Sequence, residues 1–231
     1  MLDCIVHGDA LNILEKLPDN SVDMVLTDPP YNISSEFKIE FDGRKDISHD
    51  FGDWDYGQVK PGDWIPQAVD VLTDTGVFIS MYDDIHMGRI LNELRRKQME
   101  IRQKIYWHKT NPVPQFYGVK WQRAVEEIAV ATVNQGDGHH FQEDRGQRHN
   151  VIQKPICRGK ERLDHPTQKP KELFRPIIKW WTHPGDTILD PFTGTGTIPK
   201  VAQELGRHYI GIEQDAQYTK VGRNRLKQRS L

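Results

Sequence analysis

Apolar positions along this chain fall into two alternating arrangements, short unbroken runs and runs repeating every three or four residues. CIVH (4–7) is a first short run, closed by Gly8-Asp9. ALNILEKL (10–17) has helical spacing and stops at Pro18 and Asp19-Asn20, and VDMVLTD (22–28) is a second buried-type strand. DWIPQAVDVLTDTG (63–76) predicts a helix and then a turn, and GVFISMY (76–82) a third strand. IHMGRILNELRRKQM (85–99) predicts an amphipathic helix with apolar positions 85, 87, 90, 91 and 94. Two strands follow, a half-exposed IRQKIYWHK (101–109) and a buried EEIAVATV (126–133). The last third reads as helix KELFRPIIKWWT, turn HPGD, strand TILD, glycine loop FTGTGT, helix IPKVAQELG ending at a capping Gly206, and strand RHYIGIE.

Three stretches break the pattern. Residues 109–124 hold two prolines and a glycine and predict a loop. Residues 33–63 are polar, rich in Gly, Asp and aromatics, and too long for an ordinary connection, which makes them a candidate active-site loop. Residues 135–165 have few apolar positions and are the best candidate for an inserted recognition region. The alternation elsewhere predicts an open, mostly parallel α/β sheet with ligands at the carboxyl ends of its strands.

Composition narrows this picture. A chain of 231 residues with 36% hydrophobic and 28% charged residues fits one domain, 1–231, with a modest insertion. Mean hydropathy is -0.69 and no apolar run reaches ~18 residues, so no transmembrane segment is expected. The opening MLDCIVHGDA lacks the order of a secretory signal, so an intracellular, cytoplasmic protein is expected. Cys4 and Cys157 lie far apart without metal-ligand spacing, so neither zinc nor a disulfide framework is expected. The net charge of -2 conceals an asymmetry: residues 1–90 hold 6 basic against 18 acidic residues, and residues 91–231 hold 25 against 15. The second part is the one suited to a polyanion.

Two loops carry candidate chemistry. Asp190-Pro191-Phe192-Thr193-Gly194-Thr195-Gly196-Thr197 joins a strand to a helix, and Glu213 ends the next strand. Strand, glycine turn, helix, strand and acid is the arrangement in which backbone approaches a nucleotide-like ligand and a carboxylate accepts from its ribose. Pro199 stands where a dinucleotide fingerprint needs its third glycine, which disfavours NAD, and no GxxxxGKS/T run is present. Asp28-Pro29-Pro30-Tyr31 also ends a strand. Two prolines remove two N–H donors and leave carbonyls that only accept, so with Asp28 they form an acceptor-rich corner suited to an amino group. Tyr31 offers a ring on which a planar base stacks.

Together these loops resemble the β class of amino-directed DNA methyltransferases, in which a DPPY motif precedes an FxGxG motif. His165-Pro166-Thr167-Gln168-Lys169-Pro170 is similar to the family's HPTQKP segment, Gly8-Asp9 to its opening GD element, and Trp107-His108-Lys109-Thr110-Asn111-Pro112 to its WxKxNP element on the substrate side. The resemblance spans nearly the whole chain. It implies a Rossmann-like sheet of about seven strands with one antiparallel, in circularly permuted order, entered at the third strand. It also implies S-adenosylmethionine as methyl donor, double-stranded DNA as substrate, pairing into homodimers and a bacterial or phage-infected host.

On that resemblance Asp190, Phe192 and the Thr193–Thr197 loop, with Gly194, Thr195, Gly196 and Thr197, hold the methionine end, and Glu213 holds the ribose. Asp9 accepts from the cofactor's adenine amino group, with Asp28, His165, Thr167 and Lys169 nearby. Asp28, Pro29, Pro30 and Tyr31 are the catalytic set. Asn32, Lys109 and Asn111, with Arg145, Arg148, Lys154, Arg158, Lys160 and Arg162 from a basic stretch, are placed against DNA. Phe37 and Trp54 are candidates to close over the base. In this family an Asp before the two prolines usually accompanies adenine N6 and a Ser cytosine N4, so adenine is preferred. The alternatives are cytosine N4 and a non-catalytic DNA-binding subunit of the same fold. Protein-amide and RNA enzymes of related fold usually carry NPPY after the cofactor loop, which Asp28 and the motif order oppose.

Overall fold

The computed structural model describes residues 2–31, 38–39, 47–48, 59–114, 121–133, 141–142, 148–163 and 167–227. Asn32, Phe37, Trp54, Arg145 and His165 lie outside these residues, as do the side chain of Lys160, most of the expected loop 33–63, and residues 135–140, 143–147 and 164–165 of the expected insertion 135–165.

In chain order the elements are β1 (Cys4–His7), α1 (Ala10–Leu14), β2 (Val22–Thr27), β3 (Lys38–Ile39), β4 (Ile47–Ser48), α2 (Pro61–Asp70), β5 (Leu72–Tyr82) and α3 (Met87–Arg96). They continue as β6 (Glu100–Lys109), β7 (Val125–Thr132), β8 (Val151–Lys154), α4 (Lys171–Trp181), β9 (Thr187–Asp190), α5 (Thr197–Glu204), β10 (His208–Glu213) and α6 (Ala216–Lys227). Eight strands form one sheet in the order β1-β10-β9-β2-β5-β7-β6-β8, and β3 and β4 pair separately. Only β7 runs against its neighbours in the large sheet, antiparallel to both β5 and β6. The first strand pairs with the last, Cys4 opposite Ile210 and His7 opposite Glu213, which is the permuted order expected.

Period-two alternation of the central strands divides the interior into two layers. Val25, Phe78, Tyr82, Ala129 and Leu189 face α1, α2 and α3, where Trp64, Ile65, Ile90 and Leu94 complete a buried cluster. Met24, Leu26, Ile79, Val130 and Ile188 face α4 and α5, packing on Phe174, Ile178, Ile198 and Val201. A strand buried on both faces reads as a continuous apolar run, which is why VDMVLT and TILD look as they do.

Four expectations need correction. The turn at 73–76 lies inside β5: pairing passes from Val22 opposite Leu72 to Met24 opposite Val77, so the extra residues bulge while the strand continues. Ile85 is 73% exposed and precedes α3, so the buried stripe there is Met87, Ile90 and Leu94. Residues 151–154, expected within an insertion, add an eighth strand parallel to β6. Finally, α6 was not expected, because AQYTKVGRNRLK is largely polar and buries only Thr219, Gly222 and Arg225.

Candidate active site

Four parallel strands bring their carboxyl ends to one edge of the sheet. β1 leads into Gly8-Asp9, β2 into Asp28, and β9 and β10 end at Asp190 and Glu213. All of these line a single cleft of about 940 Å³, near the top of the range for small-molecule sites. Because β7 runs the other way, it contributes its beginning, Val125 and Glu126, to the same cleft.

The first half of the cleft is made largely of backbone. Gly194 (φ 52°) and Gly196 (φ 76°) are both left-handed, a conformation that L side chains rarely adopt. A Cβ on Gly196 would also stand 3.1 Å from Ile5 Cδ1 and 3.3 Å from Gly222 Cα, so the position excludes a side chain twice over. Glu213 fastens the loop, its Oε2 accepting from the Gly194 N–H and its Oε1 from the Asp215 N–H, both at 2.8 Å. Burial raises the Glu213 pKa above the usual carboxylate range. Asp190 is buried and accepts from Thr27 Oγ1 at 2.8 Å and the Phe192 N–H at 3.3 Å. Burial pushes its pKa up to about 7. Behind the loop Arg225 of α6 donates to Thr197 Oγ1 at 2.9 Å and to the Thr195 carbonyl at 3.4 Å. Asp9 caps α1, accepting from the Asn12 N–H at 3.0 Å, and lines the cleft with Thr167.

The second half is made of charged side chains from four separate segments. Tyr31 donates its hydroxyl to Asp28 Oδ1 at 2.8 Å, and its ring meets Tyr82 edge-on with centroids 5.4 Å apart. Lys169 places Nζ 2.7 Å from Asp28 Oδ2, 3.5 Å from Glu126 Oε2 and 5.3 Å from the Tyr31 ring centre. Lys109 pairs with Glu126 Oε1 at 2.7 Å and lies over Trp107. Burial raises the Asp28 pKa, with the Lys169 charge pulling against it. Burial together with the Asp28 and Glu126 carboxylates holds the Tyr31 phenol well above its ordinary value. For Glu126, burial works upward, but Lys169 and Lys109 outweigh it and the pKa lies below the usual range. Lys169 is held above its ordinary value because the two carboxylates overcome its burial.

A family model described as DNA methylase, covering the amino-N6 and amino-N4 types, matches residues 22–224. The chain belongs to that family. Across 98% of its length it is 33% identical to the type II methyltransferase M.HinfI of Haemophilus influenzae, of which it covers 69%. Across 96% it is 34% identical to the type II methyltransferase M2.DpnII of Streptococcus pneumoniae, of which it covers 88%. Among solved structures, the M1.HpyAVI–SAM complex superposes with a TM-score of 0.75 at 24% identity, over 96% of this chain and 98% of that one. The family and the fold are those the sequence led us to expect.

The geometry adds two things that the motifs alone leave out. Lys169, expected at the cofactor, has its ammonium on Asp28 and Glu126. Glu126 was not among the expected residues; it stands at the start of β7, the strand of the large sheet that runs against its neighbours. Of the residues expected at DNA, Lys109 is 14% exposed and paired with Glu126. Asn111 accepts from the Ile156 N–H at 2.8 Å, tying the end of β6 to the chain after β8. Arg148 is exposed with its guanidinium 5.0 Å from the Trp180 ring centre, Lys154 is half-buried, and Arg158 and Arg162 are exposed, Arg162 at the cleft. Among the described residues no cluster of His, Cys, Asp and Glu has metal-binding form, and no helix is long and apolar enough to cross a membrane.

Proposed function

We propose that this chain transfers a methyl group from S-adenosylmethionine to the N6 amino group of adenine in double-stranded DNA, with the target base turned out of the helix. The observation that carries this reading is that Asp28, beside an aromatic ring, shares one cleft with the Gly194–Gly196 loop. The residues present fit the cofactor: Gly194 admits a ligand against backbone while Gly196 lets the loop pack on Ile5 and Gly222, Glu213 reaches ribose hydroxyls, and the buried Asp190 faces the cationic methionine end. Asp9, which lines the same cleft, is the acceptor for the cofactor's adenine amino group on this reading. When bound, S-adenosylmethionine supplies a methyl on a positively charged sulfur.

The amino nitrogen of a base is a weak nucleophile because its lone pair is delocalised into the ring. Asp28 and the Pro29 carbonyl accept its two hydrogens and favour a pyramidal nitrogen whose lone pair is free for attack. Pro30 fixes the turn, and Tyr31 stacks on the base, worth about 1–3 kcal/mol. Taking the base out of its pair exposes the nitrogen that the duplex hides. Adenine is favoured over cytosine by the carboxylate at position 28. With labelled S-adenosylmethionine and amplified, hence unmethylated, duplex DNA, nucleoside mass spectrometry is expected to find N6-methyladenine. N4-methylcytosine would move the reading to the other base, and no product on any nucleic acid would end it.

A further inference from the structure

Asp28 is occupied on both oxygens before any base arrives, by the Tyr31 hydroxyl at 2.8 Å and the Lys169 ammonium at 2.7 Å. Each donor has a second acceptor close by, and it is the same atom: Glu126 Oε2, 3.3 Å from the Tyr31 oxygen and 3.5 Å from Lys169 Nζ. The other Glu126 oxygen is held by Lys109 at 2.7 Å. Two carboxylates therefore share two donors, with the shorter contacts on Asp28.

We propose that Glu126 is a positioning residue that receives the Lys169 ammonium and the Tyr31 hydroxyl when a base amino group displaces them from Asp28. The proposal rests on the methyl-transfer reading above. Without Lys169, burial would drive Asp28 toward its protonated form, and the Lys169 charge opposes this. That same ammonium is misplaced during transfer. As the nitrogen–methyl bond forms and the methyl–sulfur bond breaks with its electron pair going to sulfur, positive charge grows on the base nitrogen, and a cation on Asp28 repels it. Bringing Nζ from 3.5 Å to an ordinary ion-pair distance from Glu126 takes a shift of under about 1 Å. Glu126 is prepared for this, since the two lysines keep it ionised and Lys109 fixes its far oxygen. The surplus proton of the methylated nitrogen passes to Asp28, and the return of Lys169 drives it on to water.

The test is single-turnover methyl transfer by the full chain on amplified duplex DNA. Glu126→Gln is expected to slow transfer about tenfold or more, with KM for DNA and Kd for S-adenosylmethionine changed less than about threefold. Glu126→Asp, which keeps the charge, is expected to recover part of the rate. Combining Glu126→Gln with Lys169→Met is expected to be no slower than Lys169→Met alone, because without the ammonium there is nothing to receive. The single Lys169→Met variant is expected to move the acid limb of the rate profile upward, since Asp28 then faces Tyr31, Glu126 and Asp190 with no cation on it. A Glu126→Gln enzyme as fast as the unchanged chain, or losses that multiply in the double variant, would overturn the proposal and leave methyl transfer standing. A chain that makes no product at all would bring down both. Should Glu126→Gln fail to fold, the Glu126→Asp rate and the Lys169→Met profile decide alone, and neither moving would overturn the proposal.

Discussion

The two halves of the cleft are built by different means. Around Gly194 and Gly196 the chain makes a site out of its own backbone, with conformations open to glycine and N–H groups fastened by Glu213. Around Asp28 it makes one out of side chains whose charges nearly cancel, Asp28 and Glu126 against Lys169 and Lys109. A backbone site is rigid and written in consecutive residues. A charged cluster is adjustable, and its members come from positions 28, 109, 126 and 169. The contrast suits the proposed tasks, holding one unchanging cofactor in the first half and exchanging partners with a passing base in the second.

The sharpest way to break this division is Asp28→Ala. Transfer is expected to fall by about 10²–10⁴ or beyond detection, while calorimetric affinity for S-adenosylmethionine changes less than about threefold. Equal loss of both would place Asp28 in the cofactor half. Gly196→Ala is the converse test: a left-handed alanine costs about 1–2 kcal/mol, and its methyl meets Ile5 and Gly222, so a lower melting temperature and about tenfold weaker cofactor binding are expected. Substrate saturation with cofactor is expected to restore much of the rate, and a rate that stays low would tie the loop to the chemistry.

The smallest expected effect concerns Asp190. Its folded pKa of about 7 lies above the ordinary 3.8, so the folded state holds the proton more tightly and loses stability as pH rises from 3.8 through about 7. A cation bound there favours the ionised form. Affinity for S-adenosylmethionine is therefore expected to be lower at pH 6 than at pH 8, by several-fold, with proton release at the lower pH detected by calorimetry in two buffers. A flat profile would detach Asp190 from the cationic end of the cofactor.

Legibility in the sequence followed the same division. The strand ends at Asp28, Asp190 and Glu213 were readable because buried strands of this fold are unbroken apolar runs and their terminal acids interrupt them. The glycines were readable because a positive φ restricts the residue. Glu126 was not, since in VEEIAVAT a charge at a strand's outset looks like solvent-facing surface, and only the reversed direction of β7 brings it to the reacting edge. Lys169 was found by its motif, but its contact with Asp28, 141 positions away, was not, because a motif names a residue without naming what it touches. The bulge in β5 and the polar α6 were hidden for a related reason: each depends on contacts with distant strands.

The pairing of the first strand with the last bears on how the molecule is made. Ile5 packs against Gly196 and Gly222, and its carbonyl accepts from Arg223, 218 residues further on. Contacts of such separation close late and slowly. During synthesis β2 therefore emerges long before β9, its neighbour in the finished sheet, and one of its edges stays open until β9 has been made. The glycine loop, with Ile5 packed behind it and Arg223 holding the Ile5 carbonyl, therefore needs residues from both ends of this span, and a chain broken off between them is expected to lack it.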